Sequence, residues 1–319
     1  MKTLRLLAVS LCFAAPLASA QSYPTRPVRI IVPTAAGGGI DVSARIIAPK
    51  LAGLWGQGVV VENRPGAAMA IGVDAVAKAA PDGYTLLVAH EGAICMNPVI
   101  YPNLPHNPQR DLVPVSLIAT APLLVVVHAG FPANSFQELL AYARANPGKL
   151  NHANGGSATR MALELLNALA KVRITDVAYK GLAPAMTSVM AGETQLSLPD
   201  AGSASAALKS GKVRALAVTT LTPARQFPGL PTVAESGVPG YEMSTWRALF
   251  ATAGTPPEIV AKIERDLRRV LAMPDVREKY EALSMEVAGG SSQDLGQRVA
   301  AETAKWARLV KEAGIQFTQ

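Results

Sequence analysis

The sequence predicts an α/β protein of two successive units, each a mostly parallel sheet flanked by helices. Three observations predict it. β-rich runs alternate with stretches of helical spacing in a β-α-β-α-β order through Ala89, which argues for parallel strands joined by helices. The same alternation resumes at Leu123. The chain has 319 residues, 50% hydrophobic and 17% charged, enough for two cores.

The elements follow in order. Val28 to Val32 is a short β-rich run, and the turn Thr34-Ala35-Ala36-Gly37-Gly38-Gly39 follows it. Asp41 to Leu54 places Val42, Ile46, Leu51 and Leu54 at helical spacing. Val59 to Val61 is the second strand, and Asn63-Arg64-Pro65-Gly66 leads into a helix ending near Ala80. Pro81-Asp82-Gly83 turns the chain into a third strand, Thr85 to Ala89. In the second unit, Leu123 to Val127 is a buried strand, and Ser135 with Glu138 forms a capping box for a helix to Asn146. Leu150 to Ala153 is a strand, followed by Asn154-Gly155-Gly156-Ser157 and a helix through Leu169. Asp176 to Tyr179 is a strand, and Lys180-Gly181 leads to a helix expected to start at Pro184, a favoured first position. Thr194 to Leu198 and Val213 to Thr219 are further strands, and Leu221 to Tyr241 is rich in Pro and Gly and irregular. The C-terminal part is helical over Pro256 to Leu271, Pro274 to Leu283 and Leu295 to Glu312, with a short strand at Met285 to Val287.

Composition removes several function classes. A largely disordered chain would be more charged and less apolar. The 26 Gly and 24 Pro along the whole length exclude a coiled coil. The net charge of +7 is not gathered into a Lys/Arg run or a basic stripe interleaved with aromatics, so no nucleic-acid partner is expected. Lys2 and Arg5, the apolar stretch Leu6 to Leu17 and the A-x-A site Ala18-Ser19-Ala20 form a signal peptide, so export and a mature chain from Gln21 are expected. Cys95 alone survives cleavage, which rules out an internal disulfide and a Cys-based metal site. The four histidines lack metal spacing, and His90-Glu91 fails as a zincin motif because position 94 is Ile.

The residues that carry chemistry sit in glycine-rich turns. Ligands of open α/β sheets bind at the carboxyl ends of strands. Thr34 to Gly39 and Asn154 to Ser157 each run strand, glycines, helix start, and each would present N–H groups at the positive end of a helix. Such a place suits a phosphate or a carboxylate. No G-x-G-x-x-G, P-loop or G-x-S-x-G elbow occurs, and Ser157 has no visible base partner. Asp41 is a candidate for orienting a ligand, with a cap or dipole role as the alternative. Lys180 is a candidate for attracting an anion, with solvated charge as the alternative. Arg160 is a candidate for bidentate pairing with a carboxylate. His90 and Glu91 close a strand at the end where ligands bind, and Trp246 and Trp306 are read as core.

Taken together, the motifs resemble the Bug-type substrate-binding proteins of tripartite tricarboxylate transporters. The resemblance spans nearly all of the mature chain. It rests on Tyr23 to Pro33 with Gly37-Gly38-Gly39 and Asp41, on Val61 to Gly66, on Ala80 to Leu87, and on Asn97-Pro98 with Tyr101. It continues at Tyr179-Lys180-Gly181 with Pro184-Ala185, at Arg214 to Thr219 and at Pro239-Gly240-Tyr241-Glu242. It implies a two-lobed periplasmic-binding-protein fold of type II, with 21–121 and 245–319 in the first lobe and 122–244 in the second, crossing near Thr120 and Ser244. It implies a monomeric periplasmic receptor that closes on a small carboxylate and works with membrane subunits of a transporter, without catalysis, cofactor or metal. The implied contacts are Thr34, Ala35, Ala36, Gly37, Gly38, Gly39 and Asp41 in one lobe and Asn154, Gly155, Gly156 and Ser157 in the other. His90, Glu91, Gly92 and Ala93, the segment with Tyr179, Lys180, Gly181 and Pro184, and Asp200 would shape the rest. The chain departs from the family's habit at Thr34-Ala35-Ala36, often aromatic there, at Arg160, often His, and at Gln195, often Asp. A Glu91 facing the cleft would recognise an ammonium group. A sensor feeding a membrane kinase and an enzyme acting on a small carboxylate are the alternative functions.

Overall fold

The computed structural model describes residues 23–101 and 103–313, so the expected signal peptide and the expected mature start at Gln21 lie outside the described residues. Two sheets organise the chain. The first holds β1 (Val28–Val32), β2 (Val59–Asn63), β3 (Thr85–His90), β4 (Leu112–Pro122), β10 (Ser244–Thr252) and β11 (Glu286–Val287), in the order β11-β4-β10-β3-β1-β2. The second holds β5 (Leu124–His128), β6 (Asn151–Asn154), β7 (Thr175–Ala178), β8 (Leu196–Ser197) and β9 (Val213–Val218), in the order β7-β6-β8-β5-β9.

Helices cover both faces of each sheet. Alternate residues of a strand point to opposite faces, and the cores follow that rule. Val28, Ile30, Leu86, Val88 and Leu249 face α1 (Gly39–Trp55), α9 (Pro257–Leu271) and α10 (Pro274–Ala282). Ile31, Leu87, Ala248 and Phe250 face α2 (Ala70–Ala77) and α11 (Ser292–Ala313). That second core continues without a break into the other sheet, through Leu123, Val125 and Val127 to α5 (Phe136–Ala145) and α6 (Ser157–Ala170). The far face, with Leu124, Val126 and Val213, packs on α7 (Leu182–Ala191) and α8 (Ala201–Lys209). Two one-turn helices, α3 (Asn97–Ile100) and α4 (Pro108–Asp111), complete the first lobe. Trp246 and Trp306 are buried, as read.

Several expectations change. The sheets are mixed rather than mostly parallel. β1 pairs β2 and β3 in parallel, as the β-α-β-α-β order required, but β10 runs antiparallel between β3 and β4. In the second sheet β6 pairs β7 and β8 in parallel, while β5 is antiparallel to β8 and β9. β5 and β10, each the first strand after a crossing, pair antiparallel on both sides, and the short β11 pairs antiparallel with β4. β4 and β10 were not read as strands, nor α8 as a helix. Pro114 and Pro122 break the pattern of β4, and the register shift opposite Pro114 absorbs the missing donor. α8 is built of Ala, Ser and Gly, which give little helical contrast. α7 starts at Leu182, two residues before Pro184. Gly181, with φ 111°, makes the turn instead, and Pro184 falls where an N–H has no helical partner anyway. In the capping box, Ser135 accepts from the Glu138 N–H, but Glu138 accepts from Asn134 rather than Ser135.

One buried residue ties the two crossings. Thr219 Oγ1 accepts the Leu123 N–H at 2.9 Å and lies 2.9 Å from Leu123 O and 2.6 Å from Met243 O. Its own N–H donates to Leu123 O, and its C=O accepts from Met243 N. Thr219→Val keeps the shape and strands these polar groups, so it should destabilise by about 1–3 kcal/mol. Urea unfolding checks it: the midpoint should fall with the slope unchanged.

Candidate functional site

The turn after β1 is held from within. Asp41, 2% exposed, accepts from Gly37 N at 2.8 Å, from Arg45 Nε and from Asn63 Nδ2 at 2.9 Å. Asn63 Nδ2 also donates to Thr34 O. Burial raises the Asp41 pKa, but the hydrogen bonds from Arg45, Gly37 and Asn63 outweigh it and hold the carboxyl below its usual range. Asp41 therefore shapes the turn as a carboxylate that is already fully engaged. Ala35, Ala36, Gly37 and Gly39 are exposed, and Gly38 is the N-cap of α1. No side chain caps α1, so its first-turn N–H groups are left for a partner outside the helix. Thr34 Oγ1 is buried beside this turn without a partner.

β3 delivers His90 and Glu91 to the same end of the sheet. His90 Nδ1 accepts from Gly92 N at 2.8 Å, which leaves the proton on Nε2. Burial and the Arg247 cation push its pKa down to about 4, so the ring is neutral at pH 7. Glu91 faces the other way. It is 1% exposed, and Oε2 accepts from Trp246 N at 2.9 Å and Thr245 Oγ1 at 3.1 Å. Burial pushes its pKa up to about 7, and Oε1 has no partner. Glu91 braces β10 rather than offering a carboxylate to an ammonium group. Gly92 and Ala93 open a buried π-helical turn, Gly92–Met96.

Sequence reasoning missed Arg247. It pairs with His90 across β10 and β3, is 7% exposed, and lies against Gly39. A Cβ on Gly39 would fall 2.6 Å from Arg247 Nη2, so glycine is what admits the guanidinium to the first turn of α1. A lone charge inside the apolar run Trp246 to Ala251 was the available signal.

The second lobe holds the other glycine turn, after β6. Asn154 Oδ1 accepts from Gly156 N and Thr159 Oγ1, and Nδ2 donates to Asp176. Gly155 N donates to Thr159 Oγ1, so the N–H groups of both turn glycines are spent on holding the loop. A Cβ on Gly155 would meet the Leu182 backbone at 2.6 Å, which joins this turn to the start of α7. Ser157 Oγ donates to Asn97 Oδ1 at 3.1 Å, joining the two lobes. Arg160 lies 3.8 Å from Asp176 within its own lobe, and Gln195 accepts from Asn151 N. Tyr179 OH donates to Ser188, a structural role. Lys180 and Pro184 are exposed, and Gly181 is the N-cap of α7. Asp200 caps α8 through Ser203, and its charge reaches His90. Thus Gly39, His90, Arg247 and Asp200 converge, and Ser157 meets the first lobe at Asn97. Tyr179, Lys180 and Pro184 show no bond to that group among the described residues. A hollow of about 380 Å³ lined in part by Thr120, Pro122 and Ser244 lies at the crossings; another of about 390 Å³ shares Arg225 and Glu286 with it and is lined also by Met285, which touches Arg247.

Two lobes joined by two crossings, with helix starts at the strand ends, define a solute-binding protein of the periplasmic class. The chain belongs to the tripartite tricarboxylate transporter family receptors, whose family model matches residues 43–315. Protein BugT of Bordetella pertussis is 35% identical over 326 residues, covering 99% of this chain and 100% of that one. The structure of R. palustris Rpa4515 with adipate is similar at TM-score 0.84 and 36% identity, over 92% of this chain and 99% of that one. MatC from Rhodopseudomonas palustris with bound malate is similar at TM-score 0.80 and 34% identity, over 90% and 100%.

Glu91 makes a pH prediction. Its folded pKa of about 7 lies above an unfolded value of about 4.3, so the folded state binds more protons between them. Its contribution to stability should fall by on the order of 3 kcal/mol as pH rises through that window, while His90, pushed down to about 4 from an ordinary value of about 6.5, contributes a rise over much of the same range. The stability of Glu91→Gln relative to the wild type isolates the Glu91 part: it should rise through the window and level off above pH 7. Chemical denaturation at pH 4.5, 6 and 7.5 reads it.

Proposed function

We propose that this chain is a periplasmic receptor that closes around a small organic carboxylate and delivers it to the membrane subunits of a tripartite tricarboxylate-type transporter. It acts as a monomer, without catalysis or cofactor. The first lobe comprises 21–121 and 245–319, and the second 122–244. The observation that carries this reading is the uncapped start of α1, a 17-residue helix, set at the end of the first sheet beside Arg247 and His90. Helix N-termini and guanidinium groups both bind carboxylates. The cross-lobe bond from Ser157 to Asn97 supports a ligand held between lobes. The adipate and malate of the similar structures support the same class.

The mechanism is hinge closure. The ligand touches both lobes only when they are together, and so favours the closed form. Closure excludes water and strengthens the hydrogen bonds to the carboxylate. Backbone near Leu123 and Met243 would absorb the dihedral change, with Thr219 keeping both passages in step.

A thermal-shift screen of residues 21–319, refolded to strip carried-over ligand, tests the reading. The panel is adipate, malate, citrate, glutamate, benzoate and neutral sugars. A carboxylate at 100 times its dissociation constant should add about 2.7 kcal/mol of stability. Small-angle scattering with that ligand should show a smaller radius of gyration. A response to sugars alone would overturn the assignment.

A further inference from the structure

We propose that Arg247 binds the ligand's carboxylate directly and thereby makes a negative charge obligatory for binding. This rests on the receptor reading and goes beyond it, because it moves recognition from turn backbone to one charged side chain.

The argument starts with burial. Arg247 is 7% exposed, and a cation so buried normally has a carboxylate partner. Among the described residues no ion pair joins it. Its Nη1 meets the Met285 thioether, a weak acceptor, and its Nε has no partner. Neighbouring acids are engaged elsewhere: Glu91 Oε2 accepts from Trp246 and Thr245, and the Asp200 carboxylate accepts from Ser203. His90, its cross-strand neighbour, is neutral at pH 7 and offers an Nε2–H rather than a charge.

The second observation is the helix. Nη2 lies 2.6 Å from where a Cβ of Gly39 would sit, against the first turn of α1. That turn carries partial positive charge and no side-chain cap. A buried guanidinium thus lies against an exposed helix start of the same sign, an arrangement that an anion reaching both would relieve. Thr34 Oγ1, buried and unpartnered beside Gly38, adds a donor at the same place. Guanidinium, helix amides and hydroxyl are all donors, and a carboxylate brings two oxygens that only accept. The second lobe offers less for this task, since the Gly155 and Gly156 N–H groups are already bonded.

The test compares the wild type with Arg247→Gln and Arg247→Lys, using adipate, malate, citrate, glutamate and benzoate, with adipamide as the neutral isostere of adipate. Calorimetry gives affinity, and thermal unfolding without ligand gives stability. The wild type should bind at least one of the acids and not adipamide. Arg247→Gln should bind that acid about 10- to 100-fold more weakly. Without ligand it should melt no lower than the wild type, because an uncompensated buried charge is gone, whereas a purely structural arginine would lower the melting point. Arg247→Lys should fall between, keeping the charge and losing the fork. Wild-type affinity in Arg247→Gln overturns the proposal and leaves the receptor reading intact. If Arg247→Gln does not fold, unchanged affinity in Arg247→Lys overturns it equally. A wild type that binds none of the acids overturns both.

Discussion

The cleft exists because the chain passes twice between two sheets at one place. β4 runs into β5 through Leu123, and the return passes Met243 into β10. Thr219 hydrogen-bonds to both passages from a fully buried position, so neither can shift without the other. β10 then lies between β3 and β4, antiparallel to both. That insertion sets Arg247 beside His90 and Trp246 beside Glu91. The crossings therefore decide which side chains stand at the carboxyl end of β1 and β3.

Electrostatics at that end follow from the alternation of side chains along a strand. Successive residues face opposite sides. His90 points with Arg247 toward α1, and Glu91 points away toward the core shared by the lobes. Burial acts on both with opposite sign: it keeps His90 neutral and pushes Glu91 toward protonation. Among the described residues the cation beside the start of α1 is thus left without a counter-charge within ion-pair reach. The same spot has an uncapped helix start and a buried hydroxyl. Such a concentration of unmet donors suits the carboxylates that similar proteins of the family hold.

Much of the scaffold was legible in the sequence. β1, β3 and the turns after β1 and β6 stand where apolar runs and glycines put them, because short apolar strands and Gly-rich turns carry local signals. β4 and β10 were not legible. Pro114 interrupts one, Arg247 interrupts the other, and each becomes a strand by pairing with a partner more than 120 residues away in sequence. The candidate site divides the same way. The glycine turns were found from local chemistry. The roles of Asp41, Tyr179 and Asp200 were not, since each is set by a partner that spacing does not reveal: Asn63, Ser188, and Ser203 at a cap that joins Leu123.

By itself the sequence determined the α/β class, the alternation of strands and helices, the glycine turns and the family. These depend on periodicity, turn chemistry and motif spacing, all local along the chain. The tertiary structure alone decided the mixed sheets, the tie at Thr219, the withdrawal of Glu91 into the core and the placing of Arg247 against Gly39. Each of these depends on which distant residue becomes a neighbour. The long antiparallel strands fix that choice through hydrogen bonding and burial, and no local pattern encodes it.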